Sequence, residues 1–234
     1  MNLNTGLLLY LFEDGIPLAV YFLALFGVLL VSYLFGSINT AIVVSRLLYK
    51  EDIRTKGSGN AGMTNMHRTY GGKAALLTLL GDLSKTVVAV CLAGFIFGFG
   101  YVAAISTVGE CYLAGLFAVL GHVFPVYYRF KGGKGVLVTA VMALILSPVA
   151  FAILIVLFII IVAMSRYVSL GSVIVATLYP VLLHGYFAVA FSSAMPGLLS
   201  LSVIVLACLI VWCHRHNLKR IGERTENKLT FGKK

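Results

Sequence analysis

Charge is scarce in this chain. Of its 234 residues only 11% are Asp, Glu, Lys or Arg, while 60% are hydrophobic and the mean hydropathy is +1.01. A soluble domain of this size needs far more polar surface, so hydrocarbon is the natural solvent. Acidic residues are the scarcest charge, 8 Asp+Glu against 18 Lys+Arg, for a formal net charge of +10. So few carboxylates argue against a metal-dependent phosphotransferase, because hard cations need oxygen ligands. The basic excess sits between apolar runs, which points to membrane lipids or anionic substrates at a membrane surface and not to nucleic acid. Cysteine is equally sparse. Cys91, Cys111, Cys208 and Cys213 fall inside or at the ends of apolar runs. Without a Cys-x-x-Cys pair, neither a zinc site nor a disulfide framework is indicated.

Several catalytic signatures are missing too. There is no Gly-x-Ser-x-Gly elbow and no His-Glu-x-x-His zinc site. No histidine is followed four residues later by aspartate, and no Lys-Ser or Lys-Thr follows a glycine loop as in a P-loop. No metal or cofactor is expected. The first apolar stretch is preceded by Glu13 and Asp14, not by a basic region, so a cleaved signal peptide is not expected.

What is present is a series of apolar runs, at 16–44, 74–99, 101–120, 136–146, 148–163, 168–191 and 195–212. A crossing needs about 20 apolar residues. Most runs suffice, and 136–163 reads either as one long helix or as two short ones separated at Ser147-Pro148. Charge decides between these alternatives. With seven crossings and the N-terminus outside, every inner segment is basic: 46–73, then Arg129, Lys131 and Lys134, then Arg166, then 215–234. Turns near 98–101, 147–148 and 192–196 carry no Lys or Arg. Merging the fourth and fifth runs sends Arg166 and the basic tail outside, against the positive-inside rule. The expectation is therefore an all-α integral membrane protein with seven transmembrane helices, N-terminus outside and C-terminus cytoplasmic. It forms a single polytopic domain over 1–234, with a short fourth helix starting as early as Gly132.

Polar, glycine-rich segments cluster on the inner face, which favours an interfacial enzyme over a carrier working at the midplane. The first contains Gly57-Ser58-Gly59-Asn60-Ala61-Gly62-Met63-Thr64-Asn65, with Arg68 beyond. Closely spaced glycines let backbone N–H groups converge on a phosphate. Ser58, Asn60, Thr64 and Asn65 add neutral donors, and Arg68 can fork onto two oxygens. A helix is expected from Ala74 onward, and a solvated loop is the competing reading. In the second, Phe130-Lys131-Gly132-Gly133-Lys134-Gly135, two ammonium groups flank exposed amides. That suits a multiply charged phosphate, against simple positive-inside anchoring. The third is Arg166-Tyr167-Val168-Ser169-Leu170-Gly171-Ser172, in which Ser169 and Ser172 share a helical face. The fourth is His214-Arg215-His216-Asn217, followed by Gly222-Glu223. His214 and Asn217 share a face if the helix continues, and much of the tail reads as plain inner-face charge. Asp82 and Lys85, one turn apart within a span, are either functional or a structural ion pair. His122 reads as a satisfied interfacial histidine.

Together with Gly36-Ser37-Ile38-Asn39 and Gly121-His122-Val123-Phe124-Pro125, these motifs resemble the bacterial acyl-phosphate:glycerol-3-phosphate acyltransferases, the PlsY family, in the same order from about 36 to 223. The resemblance implies a seven-helix enzyme of the bacterial cytoplasmic (inner) membrane. It would transfer an acyl chain from acyl phosphate to the 1-hydroxyl of glycerol-3-phosphate, the first step of phospholipid synthesis, giving lysophosphatidic acid and phosphate. It implies Ser58, Arg68, Lys134, Ser172, His214 and Asn217 as the catalytic set, and Gly57, Gly59, Asn60, Thr64, Asn65, Gly132 and Gly133 as substrate-binding. No obligatory protein partner is implied. Four departures from the family pattern stand out: Asn39 for proline or threonine, Met63 for alanine, Thr86 for glycine, and Gly135-Val136-Leu137-Val138-Thr139 for a shorter GVAT. Met63 bears on the shape of the phosphate loop. A transporter of anionic phosphorylated solutes is the alternative from another class, and turnover in detergent discriminates the two.

Overall fold

The computed structural model describes residues 6–11, 15–98, 108–191 and 194–229. All regular elements among them are helical: α1 (Gly6–Leu11), α2 (Leu18–Ser37), α3 (Thr40–Tyr49), α4 (Met63–Tyr70), α5 (Gly72–Phe97), α6 (Val108–Val123), α7 (Val136–Leu146), α8 (Pro148–Ser165), α9 (Val168–Phe191), α10 (Gly197–Cys213) and α11 (Arg215–Gly222). They fall into two compact units, Met1–Leu146 and Ser147–Lys234. Glu13 and Asp14, most of the turn expected at 98–101, the first residues of the run at 101–120, residues 192–193 and the last five residues lie outside the described set.

Among the described residues, five helical stretches are long and apolar enough to cross a membrane, and up to six if α10 and α11, bent by 50°, count as one. The α8 surface exposes Ile153, Val156, Ile159, Ile160 and Met164, the face of a helix whose solvent is lipid. Proline at the first position of α8 fixes the helix start, so 136–163 is two helices. The first of them, α7, has 11 residues, about 16 Å of rise against about 30 Å of hydrocarbon. It starts at Val136, not Gly132. The Gly132 and Gly133 N–H groups turn back to the Val123 and His122 carbonyls (3.1 and 3.0 Å), which forbids helix there.

Two further elements differ from expectation. The first apolar run is broken at Ile38-Asn39, where Asn39 takes extended backbone and its Oδ1 caps α3 by accepting the Ile42 N–H at 3.2 Å. Helix α4 stands inside what reads as a loop.

In the first unit α2 and α6 pack backbone to backbone, because a Cβ on Gly36 would strike the Ala118 carbonyl and one on Gly121 the Tyr33 carbonyl. In the second unit α9 packs on α8 and α10, and a buried Ser147–Tyr179 hydroxyl pair at 2.9 Å joins the start of α8 to α9. Gly36→Val forces α2 off α6. We expect about 3 kcal/mol of destabilisation, read as a lower melting temperature of the detergent-solubilised protein.

Candidate functional site

The polar segment before α4 is built round one side chain. Buried Asn65 accepts the Ser58 N–H at 3.0 Å through Oδ1. Its Nδ2 donates to the carbonyls of Lys56 (3.0 Å), Asn60 (3.0 Å) and Ile53 (3.3 Å). The chain curls so tightly that Gly57 has φ +54°, and a Cβ there would strike the Asn65 amide. Asn65 thus shapes the loop from within, with both polar atoms committed to the loop backbone. Among the described residues, the N–H groups of Gly57, Asn60, Ala61, Met63 and Thr64 make no hydrogen bond within the chain. Gly62 gives α4 no side-chain cap, so the helix presents its first amides to an anion. Thr64 and Arg68, four residues apart on one face, are exposed, as are Ser58 and Gly59. Met63, the first residue of α4, is exposed.

Side chains outside the expected site residues hold this cradle. Asn39 donates to the Ala61 carbonyl at 3.4 Å. Arg54 forks onto Asp52, with Nε–Oδ1 at 2.9 Å and Nη2–Oδ2 at 2.7 Å. Its Nη1 reaches the Tyr128 and Lys131 carbonyls (2.9 and 3.2 Å) of the second segment. The hydrogen bonds that Asp52 accepts from Arg54, and another from Arg46, hold its carboxyl well below the usual carboxylate range, against the opposing effect of burial. At the far end of α4, Tyr70 stacks on Tyr49 with ring centroids 4.0 Å apart and donates to Glu51 at 2.9 Å. Burial, and then that carboxylate, pushes its hydroxyl up to about 12.

The second segment folds back on the end of α6 through Arg129 and Phe130, both left-handed at φ 57° and 58°. Gly132 and Gly133 spend their amides on α6 carbonyls, as described above, so their contribution is shape. A Cβ on Gly133 would strike the His122 ring and lie 2.7 Å from the Ala61 carbonyl oxygen. The two segments therefore meet at Ala61 and Gly133, and half-buried Lys134 follows directly.

In the second unit, Ser172 is buried and donates to its own helix at Val168 (2.9 Å). The buried His214 ring places Nδ1 2.7 Å from the Ile210 carbonyl. A carbonyl only accepts, so Nδ1 carries the proton and Nε2 is the basic atom. Asn217 donates to Glu226 at 2.6 Å, and Ser169 and Arg220 donate to the same carboxylate at 2.9 and 2.7 Å. Burial raises the Glu226 carboxyl, but these donors outweigh it and hold it below its ordinary value. Leu229 N–H bonds to the Arg166 carbonyl at 2.7 Å, and Lys228 lies over the Tyr167 ring. Far from being plain charge, the tail to 229 ties the third and fourth motifs together. Glu223, which followed the motif in sequence, instead pairs loosely with Lys219 at 3.8 Å. No cluster of three or more His, Cys, Asp or Glu fit for a metal occurs among the described residues.

Known proteins resemble this chain along most of its length. Residues 26–224 match the family described as glycerol-3-phosphate acyltransferase. A glycerol-3-phosphate acyltransferase of Chlorobaculum tepidum is 37% identical over 230 residues, 91% of this chain and 99% of its own length. That of Syntrophomonas wolfei is 39% identical over 206 residues, 87% and 96% of the two chains. The crystal structure of PlsY, an integral membrane glycerol 3-phosphate acyltransferase, in its glycerol 3-phosphate form superposes with a TM-score of 0.76 at 31% identity, covering 88% of this chain and 96% of that one. Its lysophosphatidic acid form gives 0.73 at 30% identity, covering 88% and 95%.

Two outcomes follow. Because the folded Asp52 value lies below the unfolded one of about 4, its contribution to stability is full above that pH. It is lost as pH falls through the folded value. The melting-temperature difference between parent and Asp52→Asn is therefore largest near neutrality and shrinks below about pH 4. Glu226→Ala strands three donors, and a loss of about 3 kcal/mol is expected, visible as a lower melting temperature.

Proposed function

The chain belongs to the glycerol-3-phosphate acyltransferase family, and from that premise we propose that it acylates the 1-hydroxyl of glycerol-3-phosphate using acyl phosphate, releasing lysophosphatidic acid and inorganic phosphate. The observation that carries the donor assignment is the uncapped start of α4 with its unbonded amides, on a helix that also bears exposed Arg68, while Lys134 follows Gly133 where the second segment meets Ala61. Both substrates are phosphorylated and one carries a lipid tail. The chain offers phosphate donors within an integral membrane protein. In the reaction the acceptor O1 adds to the acyl carbonyl carbon, the C–O bond to phosphate breaks, and phosphate leaves with the electron pair. A mixed anhydride already has a good leaving group, so little general-base assistance is needed. Positioning and charge stabilisation supply the rate.

In this reading Arg68 and Lys134 hold phosphate oxygens. Ser58 and the amides from Gly57 to Thr64 stabilise the developing charge, with Gly59 keeping that backbone open and Asn60 adding its donor. Asn65 keeps the cradle in shape, and Gly132 and Gly133 let the second segment approach. Ser172, His214 and Asn217 serve the acceptor, whose own phosphate takes the hydroxyl proton. Seven crossings with the basic segments on the cytoplasmic face of a bacterial inner membrane complete the proposal; α7 supplies the seventh.

The test mixes purified protein in detergent with glycerol-3-phosphate and palmitoyl phosphate, following phosphate and lysophosphatidic acid. Turnover needing both substrates is expected, falling about a hundredfold or more in a folded Lys134→Ala variant. No turnover from folded protein with this donor overturns the acyl-phosphate reading. If the acceptor phosphate is the base, the pH–rate profile of His214→Gln keeps the shape of the parent profile. Loss of its acid limb assigns the proton to His214 Nε2 instead.

A further inference from the structure

Three ionisable side chains lie buried together in the first unit, and none of the roles above uses them: Asp82, Lys85 and His122, at 2%, 5% and 4% exposure. Lys85 Nζ donates to the carbonyls of Gly36 (3.2 Å) and Ile38 (3.1 Å) and contacts His122 Nδ1 at 2.9 Å. Those bonds use the three ammonium hydrogens. Asp82 Oδ1 lies 2.9 Å from Nζ as the counter-ion and 3.7 Å from His122 Nδ1. An ammonium has no lone pair, so Nδ1 is the acceptor and the proton of the neutral ring is on Nε2. Nε2 is the edge that a Cβ on Gly133 would strike, at the place where Gly133 approaches the Ala61 carbonyl. The His122 carbonyl meanwhile takes the Gly133 N–H at 3.0 Å. Ring and backbone of His122 both grip the residue before Lys134.

A lone buried pair is adequately explained as structure, and uncharged side chains of similar volume often serve as well or better. Here the charge has a further job, because only a donor at Nζ fixes which ring nitrogen faces the two polar segments. We propose that Asp82, Lys85 and His122 are positioning residues of the acyl transfer: Asp82 holds Lys85, Lys85 sets the His122 ring against Gly133, and Gly133 thereby places Lys134 for substrate phosphate. The proposal rests on the substrate-binding role given above to Lys134.

The double variant Asp82→Asn/Lys85→Met removes both charges at once and leaves no unpaired ion. It also strands the Gly36 and Ile38 carbonyls, so a lower melting temperature is expected, while kcat/KM of the folded variant with palmitoyl phosphate and glycerol-3-phosphate falls about tenfold or more. Parental kcat and KM in the folded double variant overturn the proposal. If that variant does not fold, His122→Asn decides, since its Oδ1 keeps the acceptor for Lys85 but withdraws the Nε2 edge. A similar loss at unchanged melting temperature, partly recovered in His122→Gln, whose amide reaches the Nε2 position, upholds it. Parental kinetics, or failure of His122→Asn to fold, assigns the cluster to structure alone. A parent chain inert with palmitoyl phosphate counts against the donor reading only. The variants are then compared on palmitoyl-CoA or acyl carrier protein donors, or on glycerol-3-phosphate binding by calorimetry.

Discussion

A helix that stops inside a membrane-spanning stretch leaves carbonyls without partners, and hydrocarbon offers them none. The α2–α3 break creates that problem at Gly36 and Ile38, and the Lys85 ammonium answers it. The break is worth its cost because it places Asn39 where one side chain can start α3 and hold Ala61. From Ala61 the dependence runs outward, to the cradle closed round Asn65 and to the second segment lying on it at Gly133. A single cation thus supports the one irregularity from which the polar face of the first unit is hung.

Much of this architecture is legible in the sequence, because apolar run length and basic asymmetry are strong signals. The α8, α9 and α10 limits fall within a few residues of the apolar runs, and Ser147-Pro148 does divide α7 from α8. What escapes is whatever is decided by a single tertiary bond. Asn39 reads as one polar residue in a long greasy run, and nothing local says that it is a cap. Helix α4 carries no apolar period, since its buried positions are Asn65 and Met66 and its start is an uncapped glycine. Gly132 and Gly133 look like phosphate amides until their hydrogens are seen to belong to α6. Glu226 sits nine residues past Asn217, beyond the end of α11, at a spacing that no helical period marks.

The side chains of the two units divide by chemistry. The first unit offers donors: amides, a hydroxyl, a guanidinium and an ammonium. The second carries His214, whose basic nitrogen is defined by the Ile210 carbonyl, and an amide aligned by a carboxylate. Carboxylates in both units serve to hold other side chains, Asp52 for Arg54, Asp82 for Lys85 and Glu226 for Asn217. That usage fits the poverty of acid in the composition. Each of these three acids is committed to a cation or an amide, and the exposed donors keep their positive field for anions.

The shortness of α7 has a consequence for where this chemistry happens. Eleven helical residues leave about 14 Å of the hydrocarbon thickness uncrossed. Backbone as irregular as 129–135 cannot face lipid tails. Water or protein has to cover it, so beside the short helix part of the membrane's depth is lined by polar backbone and not by lipid tails.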